Sequence, residues 1–214
     1  MNHMQATDFG ALVGPVWQRL QRQIGFIVEI DKLKQVLRQT PLMDGSRRET
    51  DAEHSWHIAL MAVLLAEHAA SPDLDLLKVV KMLLLHDLVE IDAGDTFCYD
   101  SGAVTSQDER EALAADRVFG LLPADQAVEF RALWEEFEAR QTPEAAYAAA
   151  LDRLQPLLHN YQAGGGTWLL PGVTAEKMRA RKAPIEAGSP ILFEFVQGLL
   201  RDAAARGILP HQPW

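Results

Sequence analysis

Apolar residues recur every three or four positions along most of the chain, and no window shows a sustained alternation with a period of two. The first spacing is typical of amphipathic helices, whereas strands would alternate and be rich in Val, Ile and Thr. The pattern therefore predicts an all-α protein with almost no strand.

Helix-start signals divide this pattern into elements. Thr50 and Glu53 form a predicted capping box, in which each side chain binds an otherwise unpaired backbone N–H group, so a helix is expected over 51–68. Ser71-Pro72 predicts the start of a helix that continues to about Ile91. Further helices are predicted at 107–121, 124–140, 143–162, 174–186 and 190–205, and two earlier ones within about 8–39.

Length and composition narrow the class of protein. The 214 residues favour one domain, and 30 acidic against 20 basic residues leave a net charge of −10 with no Lys/Arg cluster, which argues against binding a nucleic-acid polymer. The longest apolar run, 59–66, is too short to span a membrane. The absence of a secretory signal pattern and the single Cys98 favour the cytoplasm.

Four residues in the predicted helices are candidate metal ligands: His54, the pair His86-Asp87, and Asp152. Burying an imidazole or carboxylate without a partner costs several kcal/mol, and one shared cation would serve all four. Simpler interpretations stay open. His54 fits a helix cap or core position, Asp87 fits the surface, and Asp152 fits an ion pair with a nearby arginine, Arg153 or Arg140.

The order of these residues resembles the HD-domain superfamily of metal-dependent phosphohydrolases. His-Asp follows His54 by 32 residues, and Asp152 follows Asp87 by 65. The branch that looks most similar includes the bacterial 5′-deoxynucleotidases and their eukaryotic relatives. The segments that carry this similarity are 31–34, Arg38, Glu49, 51–57, 86–90, 94–95 and 151–154.

The resemblance covers about residues 24–165 and implies a helical bundle. We expect a single HD domain over 1–214, with extra helices at the N terminus and a helical extension over about 167–214. The family also implies a homodimer.

The resemblance further implies that His54, His86, Asp87 and Asp152 bind one divalent cation. This mixed set of nitrogen and oxygen ligands suits Mn²⁺, Fe²⁺, Co²⁺, Ni²⁺ or Zn²⁺ better than Ca²⁺. Mg²⁺ is expected to bind the same ligands more weakly. The identity of the metal stays open within that list.

Three more residues receive roles from the resemblance. Glu90 and Asp95 would lie beside the attacking water, and Arg38 would meet the substrate phosphate. Helical spacing supports Glu90, because it follows His86 by four residues and Asp87 by three. Asp95 fits a turn position as well as it fits this role, and Arg38 could instead neutralise nearby acidic side chains. Lesser candidates for binding phosphate are Lys78, Lys81, Arg47 and Arg48.

The leading hypothesis is hydrolysis of a phosphomonoester of a small molecule, with a nucleoside 5′-monophosphate as the leading substrate. The deoxynucleotidases place a Trp shortly after the arginine, whereas here Gln39-Thr40-Pro41 follows Arg38, so the sugar preference is open.

Three alternatives remain. One is a nucleotide phosphodiesterase or pyrophosphohydrolase, and another is a di-iron oxygenase. Both need a second metal, for which His57, His68 and His159 are the available histidines. The third is a non-catalytic module that binds a nucleotide through the metal.

Overall fold

The computed structural model describes residues 14–94, 107–171, 173, 177–178 and 182–209, and most of these residues are helical. This confirms the predicted all-α class. None of the described helices is both long enough and apolar enough to cross a membrane. The helices are α1 (Pro15–Ile30), α2 (Asp51–Leu64), α3 (Leu76–Leu85), α4 (Glu90–Ala93), α5 (Gln107–Phe119), α6 (Ala124–Ala139), α7 (Pro143–Gln162), α8 (Ala183–Gly188) and α9 (Pro190–Ala205).

Side-chain caps set several of these boundaries where the sequence predicts them. The Thr50 hydroxyl accepts a hydrogen bond from the Glu53 N–H at 3.2 Å, and the Glu53 carboxylate accepts one from the Thr50 N–H at 3.0 Å. At α9, the Ser189 hydroxyl accepts from the Leu192 N–H at 3.1 Å. These bonds satisfy N–H groups that have no partner in the first turn of a helix. Helices α7 and α9 occupy the predicted residues.

The prediction of two helices within 8–39 is wrong at its second helix. Helix α1 is followed by a 3₁₀ turn at Asp31–Gln35 and then by strand β1 (Leu37–Pro41), which pairs antiparallel with β2 (Arg48–Thr50). A proline at position 41 cannot continue a helix, and Gly45 adopts the positive φ of 71° that the chain reversal uses. The hairpin leads directly into α2.

The helix predicted from Ser71-Pro72 begins later and is interrupted. Asp75, not Ser71, caps α3, and its carboxylate accepts from the Lys78 N–H at 3.1 Å. A 3₁₀ turn, His86–Val89, then separates α3 from α4. The Nδ1–H group of the His86 ring donates to the Leu83 carbonyl oxygen at 2.9 Å. In a continuous α-helix, that oxygen would accept a hydrogen bond from the Asp87 N–H. The ring therefore competes with continuation of the helix.

The helix predicted at 174–186 is only partly described. Helix α8 begins at Ala183, and residues 174–176 and 179–181 lie outside the described residues.

Helix α7 lies at the centre of the fold and packs against α2, α3, α6 and α8. Its consecutive residues Ala148, Ala149, Ala150 and Leu151 are all buried, and the three small alanine side chains allow neighbouring helices to approach closely. The closest approach is at Gly188 of α8, where a Cβ atom would lie 2.2 Å from the Ala146 carbonyl oxygen.

We predict that Gly188→Ala lowers the free energy of unfolding by about 1 to 3 kcal/mol, since backbone must move to admit one methyl group. Gly198→Ala in α9 is the matched control. It has open space around the new Cβ, with the nearest atom at 4.0 Å, and should raise stability by about 0.5 to 1 kcal/mol. Urea unfolding measures both. Equal effects of the two substitutions would contradict this account of α7 packing.

Candidate metal centre

The structure brings four predicted ligands together from three elements. His54 lies in the first turns of α2, His86 and Asp87 lie in the turn after α3, and Asp152 lies in the middle of α7. His54 Nε2 is 3.1 Å from Asp152 Oδ1 and 4.0 Å from Asp87 Oδ2. His86 Nε2 is 3.0 Å from Asp87 Oδ1 and 3.8 Å from Asp152 Oδ1. All four residues are buried, and His54 is completely inaccessible to solvent.

The two imidazole rings are oriented by their Nδ1 atoms. His86 Nδ1 donates to the Leu83 carbonyl, so its Nε2 faces the carboxylates. His86 Nε2 is buried and has no hydrogen-bond partner. His54 Nδ1 lies 3.1 Å from Gln155 Oε1, and its Nε2 faces Asp152. Histidines that ligate metals are typically held in this way by their second nitrogen.

The electrostatics of the four residues favour a cation at their centre. Burial, with Arg38 nearby, lowers the pKa of His54 to about 4. Burial opposes ionisation of Asp87, but His86 and Arg38 hold its pKa at about 2. Burial would also lower the pKa of His86, yet the adjacent Asp87 and Asp152 raise it to about 9. Two ionised carboxylates are thus held in the interior, where positive charge is needed to offset their desolvation.

Asp152 also forms the ion pair that the sequence left open. Arg153 Nη1 lies 3.3 Å from Asp152 Oδ2, on the side away from the His54 contact, which uses Oδ1. The two interactions therefore coexist.

Arg38 reaches the same cluster from strand β1. Its Nη1 donates to Asp87 Oδ2 at 2.8 Å and to Asp51 Oδ1 at 3.1 Å, and the side chain is only 14% exposed. The arginine therefore lies beside the candidate ligands and neutralises buried acids, as one of the two interpretations of the sequence expects. The lesser phosphate candidates form contacts elsewhere: Lys78 with Glu136, Lys81 with Glu129, Arg47 with Glu53, and Arg48 with the Leu37 and Arg38 carbonyls.

Glu90 lies at the start of α4 and is half-buried. Because residues 86–89 form a 3₁₀ turn, side chains three positions apart eclipse one another. The Glu90 N–H continues this pattern by donating to the Asp87 carbonyl, so the Glu90 side chain is expected on the same side as that of Asp87. Asp95 lies outside the described residues.

A second group of polar side chains lies against the first. Ligand atoms of Glu49, His57 and His159 all lie within 4.8 Å of one another, and the amide of Gln155 contacts all three residues. Burial raises the pKa of Glu49 to about 7, with Arg38 opposing the shift. The three acceptors could hold either a cation or hydrogen-bond donors.

The sequence patterns assign no role to Glu49 or Gln155, and they offer His159 only as an available histidine for a second metal. A signal was present, since Asp152, Gln155 and His159 follow one face of α7 at spacings of three and four residues. The remaining histidine of the sequence-based alternatives, His68, belongs to neither cluster among the described residues.

We predict that Arg38→Met lowers the free energy of unfolding in metal-free buffer by about 3 kcal/mol, because Asp51 and Asp87 lose a buried cationic partner. Arg47→Met is the control. It removes an arginine from an exposed ion pair with Glu53, which solvent screens, and should leave the free energy of unfolding almost unchanged. Chemical denaturation of both variants distinguishes the two environments, and an Arg38→Met cost as small as the control would contradict a buried role.

Comparison with known proteins places these features in a family. A family model described as HD domain matches residues 30–192. The 5′-deoxynucleotidase HDDC2 of Homo sapiens is 28% identical over 134 residues, which are 62% of this chain and 64% of the human protein. The matched region therefore spans less than two thirds of that relative. The Danio rerio protein of the same name is 26% identical over 146 residues, covering 67% of this chain and 71% of the relative.

Solved structures agree with this assignment. The crystal structure of a predicted metal-dependent phosphohydrolase from Magnetospirillum magnetotacticum MS-1 is 54% identical, with a TM-score of 0.89, and the match covers 94% of this chain and 100% of that one. A conserved hypothetical protein from Pyrococcus furiosus, 23% identical with a TM-score of 0.59, shares the fold over 83% of this chain and 99% of its own. The chain belongs to the HD-domain family, as its motifs predict.

Proposed function

We propose that this chain, an HD-type metal-dependent phosphohydrolase, cleaves the phosphomonoester bond of a nucleoside 5′-monophosphate. The single observation that carries the proposal is the convergence of two imidazole nitrogens and two carboxylates within 3.0 to 4.0 Å in the protein interior. The crystallised Magnetospirillum relative supports the phosphohydrolase class, and the curated relatives support the nucleotide substrate.

The residues present fit a divalent cation. His86 Nε2 is buried without a hydrogen-bond partner, and the ring is fixed with this nitrogen facing Asp87. We therefore propose His54, His86, Asp87 and Asp152 as its ligands. Four protein ligands leave positions open for water and substrate on a six-coordinate cation such as Mn²⁺, as catalysis requires. When bound, the ion would polarise a phosphate oxygen and make a water molecule more acidic.

The surrounding side chains supply the other functions that hydrolysis needs. We assign to Glu90, which is expected on the same side as Asp87, the role of orienting the attacking water and accepting its proton. Asp95 is proposed as its partner from the family resemblance alone. Arg38 is within reach of Asp87, and its planar guanidinium suits phosphate oxygens, so we propose that it binds the substrate phosphate.

The finer properties of the protein form part of the same proposal. These are one metal ion per chain, a single domain over residues 1–214, a homodimeric assembly and a cytoplasmic location. The sugar preference stays open, because Gln39-Thr40-Pro41 stands where the deoxynucleotidases place a Trp.

The substrate is tested by measuring phosphate release from a panel of ribo- and deoxynucleoside monophosphates. The protein is first stripped with chelator and then supplied with Mn²⁺, Co²⁺, Ni²⁺, Zn²⁺ or Mg²⁺. We expect release from at least one nucleotide, dependent on added metal. Binding of nucleotides without release under every metal would favour the non-catalytic module instead.

We predict that Asp152→Asn reduces metal affinity or turnover by at least ~100-fold, since it removes a ligand charge, and even changes outside the ligand set cost 10- to 100-fold. The control is Asp116→Asn, which changes a carboxylate that is 72% exposed. Turnover and bound metal are measured together. An Asp152→Asn protein with wild-type turnover and bound metal would contradict the assignment.

A further inference from the structure

Gln155 occupies the boundary between the two polar clusters. It lies on α7, one turn after Asp152, and is fully buried. One end of its amide contacts His54, and the other contacts Glu49, His57 and His159. A buried amide with partners at both ends has its oxygen and nitrogen distinguished by those partners.

The direction of this amide follows from a backbone carbonyl. A carbonyl only accepts hydrogen bonds, so His159 Nδ1, 2.9 Å from the Pro41 oxygen, carries a proton. In a neutral ring the Nε2 of His159 is then an acceptor, and it lies 2.9 Å from Gln155 Nε2. A Glu49 oxygen lies 2.6 Å from the same nitrogen. The NH₂ end of Gln155 therefore faces Glu49 and His159.

The opposite end of the amide is then its oxygen, and it lies 3.1 Å from His54 Nδ1. An oxygen there accepts the Nδ1 proton, which leaves the His54 Nε2 lone pair directed at Asp152. We propose that Gln155 is a positioning residue that holds His54 in the tautomer able to ligate the cation. This inference rests on the metal site of the proposed function.

The same orientation argues against a second cation at Glu49, His57 and His159. The three acceptors surround Gln155 Nε2 at 2.6, 3.3 and 2.9 Å, so the amide hydrogens point to where such an ion would bind. Reversing the amide would direct an N–H group at His54 Nδ1 and move the ring proton to Nε2, where it would block the first site. The amide and a second ion are therefore mutually exclusive, and the wild-type chain should bind one ion.

Equilibrium dialysis against Mn²⁺, followed by elemental analysis, tests this role without using activity. We expect one ion per chain for the wild type. Gln155→Met, close in size but without the amide, should bind one ion with about 10- to 100-fold weaker affinity. The control Gln162→Met lies on the same helix at an exposed position and should match the wild type. Circular dichroism establishes that the compared proteins are folded.

Gln155→Glu provides an independent arm if Gln155→Met does not fold. It keeps an oxygen for His54 and replaces the NH₂ group with a second oxygen facing Glu49, His57 and His159, so we expect a second ion per chain. Any of three results would overturn the proposal: two ions in the wild type, unchanged affinity in folded Gln155→Met, or a single ion in Gln155→Glu.

The Asp152→Asn protein separates this inference from the proposed metal site. If Asp152→Asn loses the ion while Gln155→Met keeps wild-type affinity, only the role of Gln155 fails. If Asp152→Asn also binds normally, the proposed metal site itself fails.

Discussion

The central constraint on this fold is the electrostatic cost of placing Asp87 and Asp152 in a helical interior. Removing two carboxylates from water is unfavourable by several kcal/mol each unless positive charge accompanies them. Arg38 and Arg153 contribute part of that charge from the edge of the cluster. His54 and His86 turn their Nε2 atoms toward the same carboxylates, where a divalent cation would bind. The architecture thus places a charged cluster in the interior of a helical bundle.

The positions of the clustered side chains are set by several ordinary interactions. The Thr50 capping box fixes the start of α2 and hence the position of His54. The bond from His86 to the Leu83 carbonyl fixes one ring and coincides with the change from α to 3₁₀ geometry. Close packing of the alanines on α7 holds Asp152 next to His54 and His86. Preorganised ligands of this kind bind a metal without further ordering of the chain.

Much of this arrangement is predictable from the sequence, because the features that set it are local. Capping residues at Thr50 and Ser189 and the periodic apolar face of α7 fix helices within a few residues of their observed ends. The β1–β2 hairpin was missed because strand pairing depends on partners further along the chain, such as Leu37 with Thr50 and Pro41 with Arg48. The start of α3 was misplaced because Asp75 and Ser71-Pro72 are competing local signals. The role of Gln155 depends on neighbours from α2 and β2, which no local pattern specifies.

The central claim is that four side chains, distant in sequence, hold one divalent cation. Anomalous diffraction from a crystal loaded with Mn²⁺ or Co²⁺ tests it most directly. We expect one strong peak at about 2.0 to 2.3 Å from His54 Nε2, His86 Nε2 and oxygens of Asp87 and Asp152. A peak at Glu49, His57 and His159 instead, or no ordered metal in the interior, would contradict the account.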